Sequence, residues 1–303
     1  MKIALASQGA GWVIDDIVKD YKKYTSHKIV GMKDDPDLIW CVNLWSFHKV
    51  HESRPMCPVV LSVHHIDETK IDEYPFEIFN KAHTILVPNK ITEDIASKYF
   101  KKPVERMPYW VLSKTFEPKS LESVIKHRFC GKAGANDLVI GSFQRDTQRN
   151  GTPKLSKGPD LLLEVITKLH QRTPIFVMLA GWNRKYLVNA IKKLGVPYDL
   201  VEHHPNINEL YDCIDWYLVT SRTEGGPQAV LEAPYRSTRI LSTPVGIAPE
   251  ILHPDCICPT SDDFVKAILE DVDQRKYNHD MITGHHMPEV VIPKLDEFFR
   301  GIK

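Results

Sequence analysis

The sequence predicts an α/β protein built from two parallel-sheet units. Two observations carry this. Short apolar runs recur without the polar alternation of a half-exposed sheet, and segments of helical period separate them. The alternation also pauses between residues 109 and 134 and then resumes, which divides the chain in two.

The elements follow in order. KIALA (Lys2–Ala6) is a first strand, and Trp12–Tyr24 a helix with Val13, Ile17 and Tyr21 on one face. LIWCVNL (Leu38–Leu44) and VVLSV (Val59–Val63) read as buried strands. Ile71–Ala82 is helical, TILV (Thr84–Val87) a strand, Ile91–Phe100 a helix and VERMP (Val104–Pro108) a short strand. After the pause, LVIGSF (Leu138–Phe143) is a strand, and KGPDLLLEVITKLH a helix with Pro159 in its first turn. IFVMLAG (Ile175–Gly181), YDLVE, WYLVT (Trp216–Thr220) and RILST (Arg239–Thr243) are further strands. Tyr186–Leu194 and Asn208–Cys213 are helical, as is most of the chain beyond residue 243. The expected domains are 1–112 and 113–288, with a helix at 289–303 returning to the first. Ligands of such sheets bind outside the carboxyl ends of the strands, and the cleft between two sheets is the natural place.

Composition narrows the function. Lys+Arg and Asp+Glu both number 39, so the basic excess of a nucleic-acid-binding chain is missing. No apolar run approaches the ~20 residues of a membrane span. The opening MKIALASQGAGW has too short an apolar run for a leader and reads better as a strand. Six cysteines form no CxxC pair and suit reduced, buried thiols of a cytoplasmic protein; Cys256 and Cys258 alternate as on a strand. Fourteen histidines include adjacent pairs but no HExxH, so no metal site is expected. Trp45, Trp110 and Trp182 are expected in the core, with Trp45 and Phe47 as candidates for an acceptor groove. DDPDLIW and KLDEFF read as solvated edges.

The most informative stretch is SRTEGGPQAVLEAP, Ser221–Pro234. Glu224 follows a strand, and Gly225 and Gly226 allow a ligand to approach the backbone. Pro227 suits the first position of a helix running to about Ala233, whose opening amides attract an anion. Glu232 lies eight positions past Glu224, ~12 Å at helical rise. That spacing fits a ligand with hydroxyls at both ends and a diphosphate between them. A lone glutamate at a helix start would need no more than the helix dipole to explain it; the whole string at a strand end asks for more.

TSRTEGGPQAVLEA…STPVGIAPEIL resembles the E-x7-E signature of retaining glycosyltransferases of family 4, which have the GT-B fold. NINELYDCIDWYLVTSRTEGG, LSKGPDLLLEVITKL and LVPNKITEDIASKYFKKPVERMPYWVLSKTFEP are similar to other stretches of that family. The resemblance spans roughly residues 59–252. It implies two Rossmann-like domains facing across a cleft, the second binding a nucleoside-diphosphate-sugar donor and the first an acceptor. The acceptor would be a saccharide, a lipid-linked group or a protein. Glu224 would contact the donor sugar and Glu232 the ribose, while Gly225 and Gly226 would offer amides. Arg145 and Lys157 would hold the diphosphate, so that no metal or other cofactor is needed. His64, ending the strand of VVLSVHHID, would face the sugar, and Gly11 in SQGAGW would approach the phosphates. The chain departs from the family here: SFQ separates Gly141 from Arg145, and DTQRNGTPKLS separates Arg145 from Lys157. Arg149 or Lys154 therefore compete for the diphosphate role. The alternatives are a nucleotide-sugar epimerase of the same fold, or a nucleotide-sugar-binding protein without transferase activity.

Overall fold

In a computed structural model, the structure describes residues 1–7, 9, 13–53, 56–116, 133, 134, 136–202 and 207–302. The chain divides into two compact units, Met1–Ser113 with Gly284–Lys303, and Lys114–Thr283.

The first unit holds a six-stranded sheet: β1 (Lys2–Ala6), β2 (Lys28–Val30), β3 (Leu38–Cys41), β4 (Val59–Ser62), β5 (Thr84–Val87) and β6 (Val104–Arg106). The order is β2-β1-β3-β4-β5-β6, and every pairing is parallel. β3 and β4 are buried at every position, as strands covered on both faces must be. The helix Val13–Tyr24 has Asp15 and Asp16 in its first turn and Lys22 and Lys23 in its last, matching the helix dipole. It packs on the helix Pro288–Gly301, which brings Val291, Ile292, Leu295 and Phe299 into this core. Tyr21, Trp40 and Phe299 meet there with ring centroids 4.9 to 6.1 Å apart.

Asp296 pins that last helix. Buried among Val13–Tyr24 and its following turn, it accepts from Tyr21 Oη at 2.9 Å and from Thr25 Oγ1, Ser26 N and Ser26 Oγ, each at 2.7 Å. KLDEFF is thus a core seam and not a solvated edge. Burial alone would raise the Asp296 carboxyl, but these hydrogen bonds outweigh it and hold it below the ordinary range.

Several local expectations are corrected. Ile71–Ala82 is not one helix: a 3-10 stretch, Glu68–Glu73, and a single turn, Phe76–Phe79, flank Pro75. Tyr74, before that proline, is extended, as the ring of Pro75 demands. β6 stops at Arg106, short of Pro108. The edge strand β2 and the helix Phe47–Ser53 gave no clear sequence signal. Phe47 is fully buried and lines no groove, whereas Trp45 and Trp182 are each 56% exposed and only Trp110 is core.

The second unit holds β7 (Leu138–Ser142), β8 (Ile175–Ala180), β9 (Tyr198–Val201), β10 (Trp216–Val219) and β11 (Arg239–Ser242). They pair in parallel in the order β11-β10-β7-β8-β9. The winding direction reverses between β7 and β10, the point beyond whose carboxyl ends doubly wound sheets bind their ligands. Cys256 and Cys258 are not on a strand. Cys256 ends a 3-10 turn, and Cys258 N donates to Ser242 O beside an isolated bridge. Burial pushes their thiols up to about 11 and about 12. Among the described residues no helix is long and apolar enough to cross a membrane.

Candidate functional site in the second unit

The loop after β10 carries Glu224. Thr220 and Ser221 are fully buried, and Thr243 Oγ1 donates to Ser221 O at 2.5 Å, so the loop leaves the strand in a fixed direction. Arg222 N and Thr223 N both donate to Ser156 O, at 2.9 and 3.2 Å. These bonds tie the loop to the segment leading into the helix Pro159–His170. The Arg222 guanidinium grips Asp160 with two 2.7 Å bonds. Close approach at this junction requires glycine: Gly158 has φ +59°, and a Cβ there would lie 1.7 Å from Thr220 O. Gly246, at φ +55°, plays the same part below the Glu224–Gly225 peptide, where a Cβ would come within 2.4 Å of Gly225 O.

These contacts bring Lys157 and Glu224 together. Lys157 Nζ pairs with Glu224 Oε1, and Ser221 Oγ donates to the same oxygen at 3.0 Å. Gln144, on the loop after β7, lies 3.2 Å from Ser221 Oγ and donates through Nε2 to Lys157 O at 3.0 Å. Lys154 stands close enough that Lys157 and Arg145 both act on it. Burial first, then those two cations, lower it to about 8, with Glu224 opposing. The inserted segment is a small hairpin, Thr147 bridging Pro153, and Arg149 stands exposed at its turn. Lys154, and not Arg149, thus shares the field of Lys157 and Glu224.

Arg145 lies over the indole of Trp182, 5.2 Å from the ring centroid. Its loop is braced by residues that the sequence reading passed over. Arg184, wholly buried, forms a 2.8 Å ion pair with the equally buried Asp146. It also donates to Gln144 O, to Ala180 O at 3.3 Å and to Ser142 Oγ at 3.1 Å. Burial pushes the Asp146 carboxyl up, while the guanidinium acts against that rise. An arginine three residues past a glycine at a strand end reads as solvated; only the facing QRDT loop makes it internal.

Glu232 is placed differently from Glu224. The helix that carries it, Ala229–Tyr235, begins two residues later than expected and continues through Pro234. Residues 224–228 are therefore not helical, and the ~12 Å derived from helical rise does not apply across the whole span. Glu232 is buried, and Tyr211 Oη donates to its Oε2 at 3.0 Å. Burial, and secondarily that carboxylate, push the Tyr211 phenol far up. Phe143, Tyr211 and Tyr217 form a ring cluster beneath, with centroids 5.1 to 5.2 Å apart. Gly225 is buried and Gly226 half-buried between the two glutamates.

His64 belongs to the first unit and follows β4. Its Nε2–H donates to Val42 O at 2.6 Å, which leaves Nδ1 to accept from Tyr109 Oη. Burial lowers it to about 4, so the ring is neutral. A cavity of about 30 Å³, room for one water, adjoins His64, Tyr109 and Trp40. Gly11 lies outside the described residues. Among the described residues no three His, Cys, Asp or Glu side chains gather as a metal site.

Residues 151–285 match the family model of glycosyl transferases group 1. That match gives the second unit the sequence pattern of a glycosyltransferase domain, an enzyme class. No curated protein matches the sequence. Among solved structures, Anabaena HepE in complex with UDP and glucose is similar at 12% identity, with 99% of each chain covered and a TM-score of 0.77. A glycosyltransferase from Rickettsia africae gives 12% identity, 99% and 98% coverage and a TM-score of 0.77. Sucrose-phosphate synthase from Thermosynechococcus elongatus gives 14%, 95% and 77%, and 0.70. The fold is that of GT-B glycosyltransferases: two parallel-sheet α/β domains.

Proposed function

We propose that this chain is a retaining, metal-independent glycosyltransferase of family 4 type, acting in the cytoplasm. The second unit binds a nucleoside-diphosphate sugar, and the first unit receives the acceptor. The observation that carries this reading is the cation cluster around Glu224: Lys157 paired to it, with Lys154 and Arg145 close by. A nucleoside diphosphate leaves with negative charge developing on its oxygens, and fixed cations stabilise that charge without reorganising. HepE was solved with UDP-glucose, which makes UDP-sugars the first donors to test. The free thiols among the described residues suit a reducing compartment.

The Lys157–Glu224 pair has a meaning in this reading. An unpaired carboxylate would repel an incoming diphosphate; paired, its charge is cancelled. When the diphosphate takes over Lys157, Glu224 Oε1 is released to accept from sugar hydroxyls beside the reacting carbon. Glu232, already oriented by Tyr211, is suited to the ribose hydroxyls. His64 is neutral with both ring nitrogens bonded, so it would meet the sugar only by exchanging Tyr109 Oη for a sugar hydroxyl, and its lowered pKa does not suit it to general-base work.

The test is direct. UDP, GDP and ADP should be screened by thermal shift, since a ligand of the native state raises the melting temperature by mass action. The binding nucleotide's sugars then serve as donors. Glu224→Gln should fold normally and lose transfer by ~10²-fold or more, the scale of removing one preorganised contact to the transition state. Wild-type activity should persist in EDTA. An active Glu224→Gln protein, or a strict metal requirement, would contradict the reading.

A further inference from the structure

We infer that Trp182 is a positioning residue of the donor site: its indole holds the Arg145 guanidinium in place for the diphosphate. The inference rests on the proposed donor reading and deepens it.

Four successive residues, Gly181–Arg184, clasp the loop that carries Arg145. Gly181 has φ +90°, and a Cβ there would press to 3.3 Å of Phe143 O, so the two loops meet backbone to backbone. Asn183 has φ +61°, and its Nδ2 donates to Thr147 O at 2.8 Å and to Gln148 O at 3.2 Å. Thr147 N returns a bond to Asn183 O at 3.1 Å. Arg184 holds Gln144 O and the Asp146 carboxylate. The clasp thus fixes the backbone on both sides of Arg145, and the Arg145 side chain lies against the face of Trp182.

The Trp182 indole is 56% exposed at a strand end. A guanidinium over an indole face is attracted by the ring quadrupole and retains its in-plane N–H groups. Those groups are the ones that meet a phosphate in pairs. The stack therefore removes rotamer freedom from Arg145 without using its donors.

A double-mutant cycle on the full chain tests this, with UDP as the probe and GDP or ADP in its place if one of them gives the larger thermal shift. Trp182→Ala should weaken binding about 2- to 5-fold, the range of an exposed cation–π contact. Trp182→Tyr should restore most of it. In an Arg145→Met background, Trp182→Ala should have no further effect. An equal loss in both backgrounds would overturn the inference, because the indole would then act on the nucleotide itself. No loss in either would overturn it too. If the wild-type chain binds none of the three nucleotides, the donor reading falls and this inference falls with it. Melting temperatures of each variant, within a few degrees of wild type, exclude a folding defect as the cause.

Discussion

The two sheets have the same construction and opposite chemistry at their carboxyl edges. Both are wholly parallel, with central strands buried on both faces. At the end of β4, His64 is neutral and both of its ring nitrogens are occupied. At the ends of β7 and β10, by contrast, Arg145, Lys154, Lys157 and Glu224 concentrate charge. The buried polar groups divide in the same way. Asp296 in the first unit joins a helix to one that lies far away in sequence, using neutral donors. Asp146 in the second meets a full cation and braces a loop. A shared scaffold therefore does not decide function; what the loops hold at the strand ends does.

The largest effect should come from the buried pair. Arg184→Met leaves the buried Asp146 carboxylate without its counter-charge, held only by hydrogen bonds such as that from Thr147 Oγ1, and should cost ~3–5 kcal/mol, read from denaturant midpoints. Arg184→Met with Asp146→Leu should regain most of that stability, because neither charge is then stranded. Its donor affinity should stay low, since the Arg145 loop has lost its brace. Asp296→Leu in the first unit should destabilise while leaving nucleotide affinity as it was. If the double variant binds nucleotide as well as wild type, the two hubs do not differ in role and the comparison breaks.

The next effect is one of pH. Lys154 titrates at about 8, and a bound diphosphate favours its charged form, so binding takes up a proton wherever the amine is neutral. Nucleotide affinity should be full below that pH and fall about tenfold from pH 7 to pH 9 by this linkage. The donor-free protein moves the other way: a lysine depressed on folding binds more protons when unfolded, so stability gains as pH rises from about 8 toward the ordinary ~10.4. Calorimetric titration at several pH values should show the slope in wild type and lose it in Lys154→Met. A slope that survives the substitution assigns the titration elsewhere.

How far the sequence reaches follows the same line. The parallel strands were legible because burial on both faces leaves continuous apolar runs such as LIWC and VVLS. The edge strand β2, three residues with no buried position, lacks that signature. Pro75 broke a helix that periodicity alone extended through it. In the site, Glu224 and Lys157 stand in motifs whose glycines declare them: Gly158 and Gly246 are demanded by contacts of 1.7 and 2.4 Å. Arg184 and Asp146 were hidden, because a charged residue near a strand end reads as solvated until its partner, 38 positions away, folds against it. Asp296 was missed for the same reason.

The smallest effect should be at His64, and it tests the neutral side of the comparison. The ring is confined by Val42 O on one nitrogen and Tyr109 Oη on the other, and burial lowers it to about 4. A histidine depressed on folding is protonated more readily in the unfolded chain. Its contribution to stability is therefore complete above the ordinary ~6.5 and is lost as pH falls through the interval down to about 4. Ring-proton chemical shifts should show His64 untitrated between pH 7 and 5.5, with the proton on Nε2. Tyr109→Phe removes one neutral hydrogen bond, which should cost ~1 kcal/mol and free Nδ1. A wild-type midpoint near 6.5 would place a cation at the end of β4, and the contrast between the two carboxyl edges would then be one of degree and not of kind.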